Sequence, residues 1–174
     1  MTASDPPYVA LPVAYVVLRI LIVVNWLMAA AIVTLLLLPH EQWIMTSLDL
    51  SPSAEARRVV TGLRAVAVLG LVAIPINHTV FRRLLAIVDT VRAGDPFVAS
   101  NAPRLMTIAW SLFALQVLSV IIGGIGKAVS TPARPVDIDA GFSVNGWLAV
   151  LLTFLLARVF SEGTRMRDDL EGVV

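Results

Sequence analysis

The sequence predicts an all-α integral membrane protein, with four transmembrane helices and a cytoplasmic amphipathic helix between the second and the third. Four apolar runs, 13–38, 59–76, 105–125 and 147–160, fill most of the chain, and none contains Asp or Glu. A helix rising ~1.5 Å per residue crosses a ~30 Å hydrocarbon core in roughly 20 residues, so each run reads as a span, the last starting a few residues earlier. Composition agrees: 58% of the 174 residues are hydrophobic, 14% are charged and the mean hydropathy is +0.87. A soluble domain of this length would not carry so much apolar surface. The expected helices are 13–38, 59–76 extending to about 93, 104–126 and 145–161, forming one domain with a charged tail, 161–174.

The first helix carries Arg19, Asn25 and Thr34 and ends at Pro39-His40. Arg19 lies about two turns inside its boundary, where its guanidinium can snorkel to the headgroups or turn inward to a partner. Asn25 is deeper and reads as interhelical glue. The link that follows contains Ser51-Pro52-Ser53-Ala54-Glu55, a helix start with Ser51 as N-cap and Pro52 in the first helical position. The second helix holds Arg64 about one turn inside and Gly62 and Gly70 on nearly one face, a candidate surface for packing or homo-oligomers.

Its membrane core is expected to end near Pro75-Ile76-Asn77-His78, yet the apolar period continues through Phe81, Leu84, Leu85, Val88 and Val91. Arg82, Arg83, Asp89 and Arg92 fall on other faces, which describes an amphipathic helix on the membrane or against another helix. Gly94 is its C-cap glycine, before Asp95-Pro96. Asn101, with Pro103 two residues on, opens the third helix, which contains Trp110, Ser111, Gln116 and Ser119 and closes on Gly123-Gly124-Ile125-Gly126-Lys127. A loop with Pro132, Pro135, Asp137 and Asp139 leads to a fourth helix opened by Trp147, an aromatic suited to the membrane interface.

Composition excludes several classes. With 13 basic and 12 acidic residues there is no global charge for direct nucleic-acid binding. The absence of cysteine excludes disulfides, thiolate metal sites and cysteine nucleophiles. The stretch before the first helix lacks the basic region of a secretory signal, so that helix is expected to remain in the mature protein. Orientation follows from Lys and Arg in the links. Arg82, Arg83, Arg92, Arg104, Arg158, Arg165 and Arg167, seven in all, share the side of the termini, against four on the other, Arg57, Arg58, Lys127 and Arg134. The positive-inside rule then places both termini in the cytoplasm, with the chain in the inner membrane of a bacterial cell.

No catalytic, metal or cofactor site emerges. His40 and His78 are expected at opposite membrane faces, too far apart to share a metal or haem. The run at 123–127 fails as a phosphate loop, since Ile121 and Ala128 stand where Gly and Ser or Thr are needed. Asp137 and Asp139 alone are too few oxygens for a divalent cation. A proton-coupled exporter would need a buried acid, and the spans offer only Arg19 and Arg64, which favour anionic headgroups.

Two stretches resemble a known family. Arg92-Ala93-Gly94-Asp95-Pro96-Phe97 followed by Asn101-Ala102-Pro103-Arg104-Leu105 is similar to the G-x-P-F, N and basic-Leu pattern of the bacterial membrane family called domain of unknown function 2975. Arg158-Val159-Phe160, Glu162-Gly163, Met166 and Asp168-Asp169-Leu170-Glu171-Gly172 resemble its close, with Val173 in place of the usual Thr. The resemblance implies no biochemical activity, but members are often encoded beside a small helix-turn-helix regulator. The expectation is therefore a non-enzymatic membrane tether or modulator of such a regulator, binding through Arg82, Arg83, Arg92, Gly94, Asp95, Pro96, Phe97, Asn101, Asp168, Asp169 and Glu171. Gly94, Pro96, Phe97 and Asn101 also have ordinary roles in building and anchoring a turn. The alternative is a small oligomeric transporter or lipid-binding or small-molecule-binding protein, with a cavity near Asn25, Arg64 or Gln116.

Overall fold

In hydrocarbon a backbone must close its hydrogen bonds within the segment, so long apolar runs become helices. The computed structural model describes residues 7–37, 54–130 and 140–171, with side chains over 11–37, 57–130 and 140–167. Four helices result: α1 (Pro7–Leu37), α2 (Ala54–Arg92), α3 (Asn101–Val129) and α4 (Val144–Glu171). All four are long and apolar enough to cross a membrane, and no strand occurs among the described residues. The chain is a multi-pass membrane protein. His40, Ser51, Pro52, Arg134, Asp137 and Asp139 lie outside the described residues.

Among the described residues the close backbone contacts join neighbours in sequence, α1 with α2, α2 with α3 and α3 with α4. Consecutive helices run antiparallel, as the pairs Tyr15–Arg92 and Ile32–Gly70 show for α1 and α2. A cluster of Val80, Leu105, Ile108 and Ala157, flanked by Leu84, Ile87, Leu112 and Phe160, fills the place where α2, α3 and α4 side chains meet. Val16, Ile20, Leu27 and many other apolar side chains stay exposed. Lipid tails are as apolar as they are, so this exposure carries no penalty in a bilayer.

The helix register sorts the cations into two bands. Arg19 on α1, Arg82 and Arg83 on α2, Arg104 on α3 and Arg158 on α4 lie near one level, while Arg57, Arg58, Arg64 and Lys127 lie near the other. Arg64 and Arg83 are 19 residues apart, about 28 Å along the helix. Arg104 and Lys127 are 23 apart, about 34 Å. Those separations bracket a hydrocarbon core, and the helical segments between the bands contain no acid.

Several expectations are corrected. The amphipathic stretch is not a separate element: as the expected extension to about 93 has it, α2 continues without a break from Ala54 through Pro75 to Arg92. Beside Pro75, Thr79 Oγ1 donates to the Pro75 carbonyl (2.9 Å) and Asn25 Nδ2 donates to that of Ile74 (3.1 Å). His78 accordingly lies within the helix, its ring edge-on to Trp26 at 5.5 Å, and not after its end. The glycines of α2 do not form one shared packing face. Gly62 faces Val129 of α3, Gly70 faces Ile32 of α1, and both neighbours belong to this chain.

The glycines at 123–126 do not cap α3, which runs on to Val129 and is capped at Ser130. Gly123 instead gives room for the incoming backbone of Ala140 and Gly141, which a Cβ there would strike. Ser119 Oγ donates to the Gly141 carbonyl (3.2 Å) and accepts from its N–H (3.1 Å). This satisfies irregular backbone beside a membrane helix, where water is scarce. Trp147 is therefore not at the level of the α3 terminus, where the interface was expected. Its ring meets Phe113 at 5.6 Å, and Phe113 is 14 residues before Lys127, about 21 Å away.

Candidate functional site

The end of the molecule that carries α2's last turn, the α2–α3 turn and the α4 tail gathers the motif residues. α2 stops there because Gly94 takes φ +87°, a left-handed conformation open to glycine. The N–H of Gly94 donates to the Val91 carbonyl and that of Asp95 to the Thr90 carbonyl, both at 3.1 Å. That pair is the Schellman arrangement, which satisfies the carbonyls left open at a helix end.

Asn101 begins α3 as expected, but its amide turns inward. It is 0% exposed. Its Nδ2 donates to Thr90 Oγ1 and to the Pro96 carbonyl, both at 2.8 Å, and its Oδ1 accepts from Arg104 Nη1 at 2.9 Å. Arg104 Nη1 also donates to the Ala86 carbonyl at 3.2 Å. One amide thus ties α2, the turn and α3 together.

α4 holds the turn from its other side. Phe97 stacks on Phe160 with centroids 5.3 Å apart, and Gly163 leaves space beside the Phe97 ring. Arg167 Nη1 meets Asp95 Oδ1 at 2.8 Å in an ion pair that remains partly solvated. Gly94, Asp95, Pro96, Phe97 and Asn101 therefore come together with Phe160, Gly163 and Arg167, uniting the two stretches that are far apart in sequence. Asp168, Asp169 and Glu171 ride on the last turns of α4, and their side chains lie outside the described residues.

Arg92 reaches α1, where its guanidinium lies 4.9 Å from the Tyr15 ring centroid. Arg19 lies 5.1 Å from the same ring and donates from Nη2 to the Tyr15 hydroxyl at 2.6 Å. Arg19 so bends back toward the N-terminal end of α1, onto Tyr15. Arg82 and Arg83 line a cavity of about 340 Å³ with His78, Thr79, Ala86 and Arg104. They stand nine to ten residues back from Arg92, about 14 Å, and so do not join the turn.

The intramembrane polar residues do not converge. Asn25 is buried on the Ile74 carbonyl, as interhelical glue should be. Gln116 lies against Gly146 of α4, its Oε1 buried without a hydrogen-bond partner. Arg64 is exposed in the opposite band, far from Arg19. Among the described residues no cluster of three His, Cys, Asp or Glu could hold a metal. Sequence reasoning missed Tyr15, Thr90 and Arg167 as partners. Tyr15 and Arg19 stand at i and i+4 on α1, a local signal for that pair, but nothing local marks Thr90 for Asn101 or Arg167 for Asp95, which meet across separate elements.

Residues 39–174 match the family model described as Protein of unknown function (DUF2975). The chain belongs to this family. The DUF2975 match takes in α2, α3, α4 and the knot that joins them, and begins after α1. No curated protein and no solved structure matches the chain.

Proposed function

We propose that this DUF2975 protein is a non-enzymatic tether, a bacterial inner-membrane protein that holds or modulates a small helix-turn-helix regulator at its cytoplasmic end. The observation that carries the reading is the pinned end itself. Beyond the arginine band α2 runs on nine residues from Arg83 and α4 thirteen from Arg158, about 14 and 20 Å. The Asn101 amide, the Phe97–Phe160 stack and the Asp95–Arg167 pair fix these projecting ends to one another. A pre-ordered surface outside the bilayer loses little entropy when a soluble partner docks. Arg92 and Asp95, with Asp168, Asp169 and Glu171 on the last turns, supply charge of both signs for it.

Eight of the 13 Lys and Arg residues, counting Arg19, belong to that end, and the positive-inside rule supports a cytoplasmic position. The alternative, a small oligomeric transporter or a lipid-binding or small-molecule-binding protein, draws less support in its transporter form, because Asn25 and Gln116 face protein and the cavities between α2 and α3 are lined by other residues, the one beside Arg64 by Arg58, Thr61 and Ala65.

Co-fractionation tests the tether. A helix-turn-helix regulator from the neighbouring gene, co-expressed with the full chain, is expected in the membrane fraction. Replacing Asp168, Asp169 and Glu171 by Lys should return it to the soluble fraction. A regulator that stays soluble beside abundant wild-type membrane protein sinks the proposal, as does a neighbouring gene of another class.

A further inference from the structure

Three guanidinium groups surround the cavity at the arginine band, and none of Arg82, Arg83 and Arg104 has an ion pair among the described residues. Arg82 and Arg83 are exposed on α2. Arg104 faces them from α3, with Nη1 engaged by Asn101 and Ala86. His78 and Thr79 complete the wall, and His78 Nδ1 is buried with no hydrogen-bond partner. Three guanidinium groups without a carboxylate among them describe a site for an oxyanion, and guanidinium forks suit phosphate.

The neighbouring groove says which phosphate. Thr79 also lines an open cavity of about 510 Å³ formed with Pro75, Ile76, Thr107, Trp110, Ser111 and Ala114. These residues lie deeper along the same α2–α3 seam, toward the middle of the slab, and their surface is mainly apolar. A polar chamber at headgroup depth that opens into an apolar channel at acyl depth matches an amphiphile. A free ion would have no use for the channel. We infer that the α2–α3 seam binds one anionic phospholipid, its phosphate between Arg82, Arg83 and Arg104 and an acyl chain along Pro75, Thr107 and Trp110. The site needs no soluble partner and so is tested apart from the tether, although Arg104 is also hydrogen-bonded to Asn101 of the pinned turn.

The test uses the full chain purified in a mild detergent. Native mass spectrometry reads lipid retained after addition of equal phosphatidylglycerol and phosphatidylcholine. Wild type should retain phosphatidylglycerol in preference, as a single adduct. A cation near the membrane surface contributes roughly five-fold in binding to an anionic lipid. Arg82→Gln with Arg83→Gln should therefore lower retention about 25-fold, while Arg165→Gln, on the exposed tail, should leave it unchanged. Both substitutions sit on solvent-accessible positions, so a melting curve matching wild type separates lost binding from lost folding. Ala114→Trp, which fills the channel and leaves the cations, should also weaken retention. Equal retention of the two lipids, or an unchanged double variant, overturns the inference. So does displacement of the lipid by millimolar glycerol 3-phosphate, because the chamber would then read phosphate without the acyl chain.

Discussion

Asn101 carries more of this structure than its residue type suggests. A buried amide left unpaired is costly, and here one side chain satisfies a hydroxyl, a carbonyl and a guanidinium at once. Asn101→Ala should destabilise the protein by about 2–3 kcal/mol, because Arg104 and the Pro96 carbonyl lose a buried partner. The measurement is the unfolding midpoint in detergent, and an unchanged midpoint would show that the amide contributes nothing. Gly94 offers a cleaner backbone test. At φ +87°, and with nothing within 4 Å of where a Cβ would stand, substitution meets conformational strain and no clash. Gly94→Ala should cost about 1 kcal/mol, and Gly94→Asn less, since Asn tolerates the left-handed region. A loss from Asn as large as that from Ala would mean that something other than φ selects glycine.

At the scale of elements, what the sequence revealed was whatever a single helix decides by itself. The acid-free runs, the Gly94 stop, Pro103 in the first turn of α3 and Asn25 as glue were all legible, because each follows from local chemistry. The rest was settled between helices. Pro75 read as the end of a span, but α2 carries on through it, with Asn25 of α1 packed onto the Ile74 carbonyl. Asn101 read as a helix start, and only the approach of Thr90 and Pro96 turns its amide into a tie. The glycines of α3 read as caps, although their positions relative to the returning 140–141 segment separate them. Gly123→Ala should therefore cost about 1–3 kcal/mol, because a methyl would strike backbone that has little room to retreat. The adjacent Gly124 has nothing within 4 Å. Gly124→Ala should be neutral or stabilise by up to about 1 kcal/mol through helix propensity. Opposite signs at adjacent positions in one thermal-melt comparison would confirm the close approach, and equal effects would refute it.

The whole molecule is a row of four antiparallel helices whose cations gather in two bands, and the proposed direction in the membrane rests on the unequal bands. Eight cations belong to the end with the pinned turn and, among the described residues, four to the other, Arg57, Arg58, Arg64 and Lys127. Acids contribute little to this bias, so the mixed charge of the tail does not cancel it. The chain contains no cysteine, which lets one introduced thiol report its side without background. Met166 is 62% exposed on α4 past the arginine band, and Lys127 is exposed near the far end of α3. Met166→Cys changes no charge, and Lys127→Cys removes a cation from the poorer end, so neither substitution weakens the asymmetry being read. A membrane-impermeant maleimide added to intact spheroplasts should label the Lys127→Cys protein at once. It should label the Met166→Cys protein only after permeabilisation. The reverse pattern would put the pinned end outside the cell, where no helix-turn-helix regulator could reach it, and would remove the tether while leaving the phospholipid seam to be judged by its own experiment.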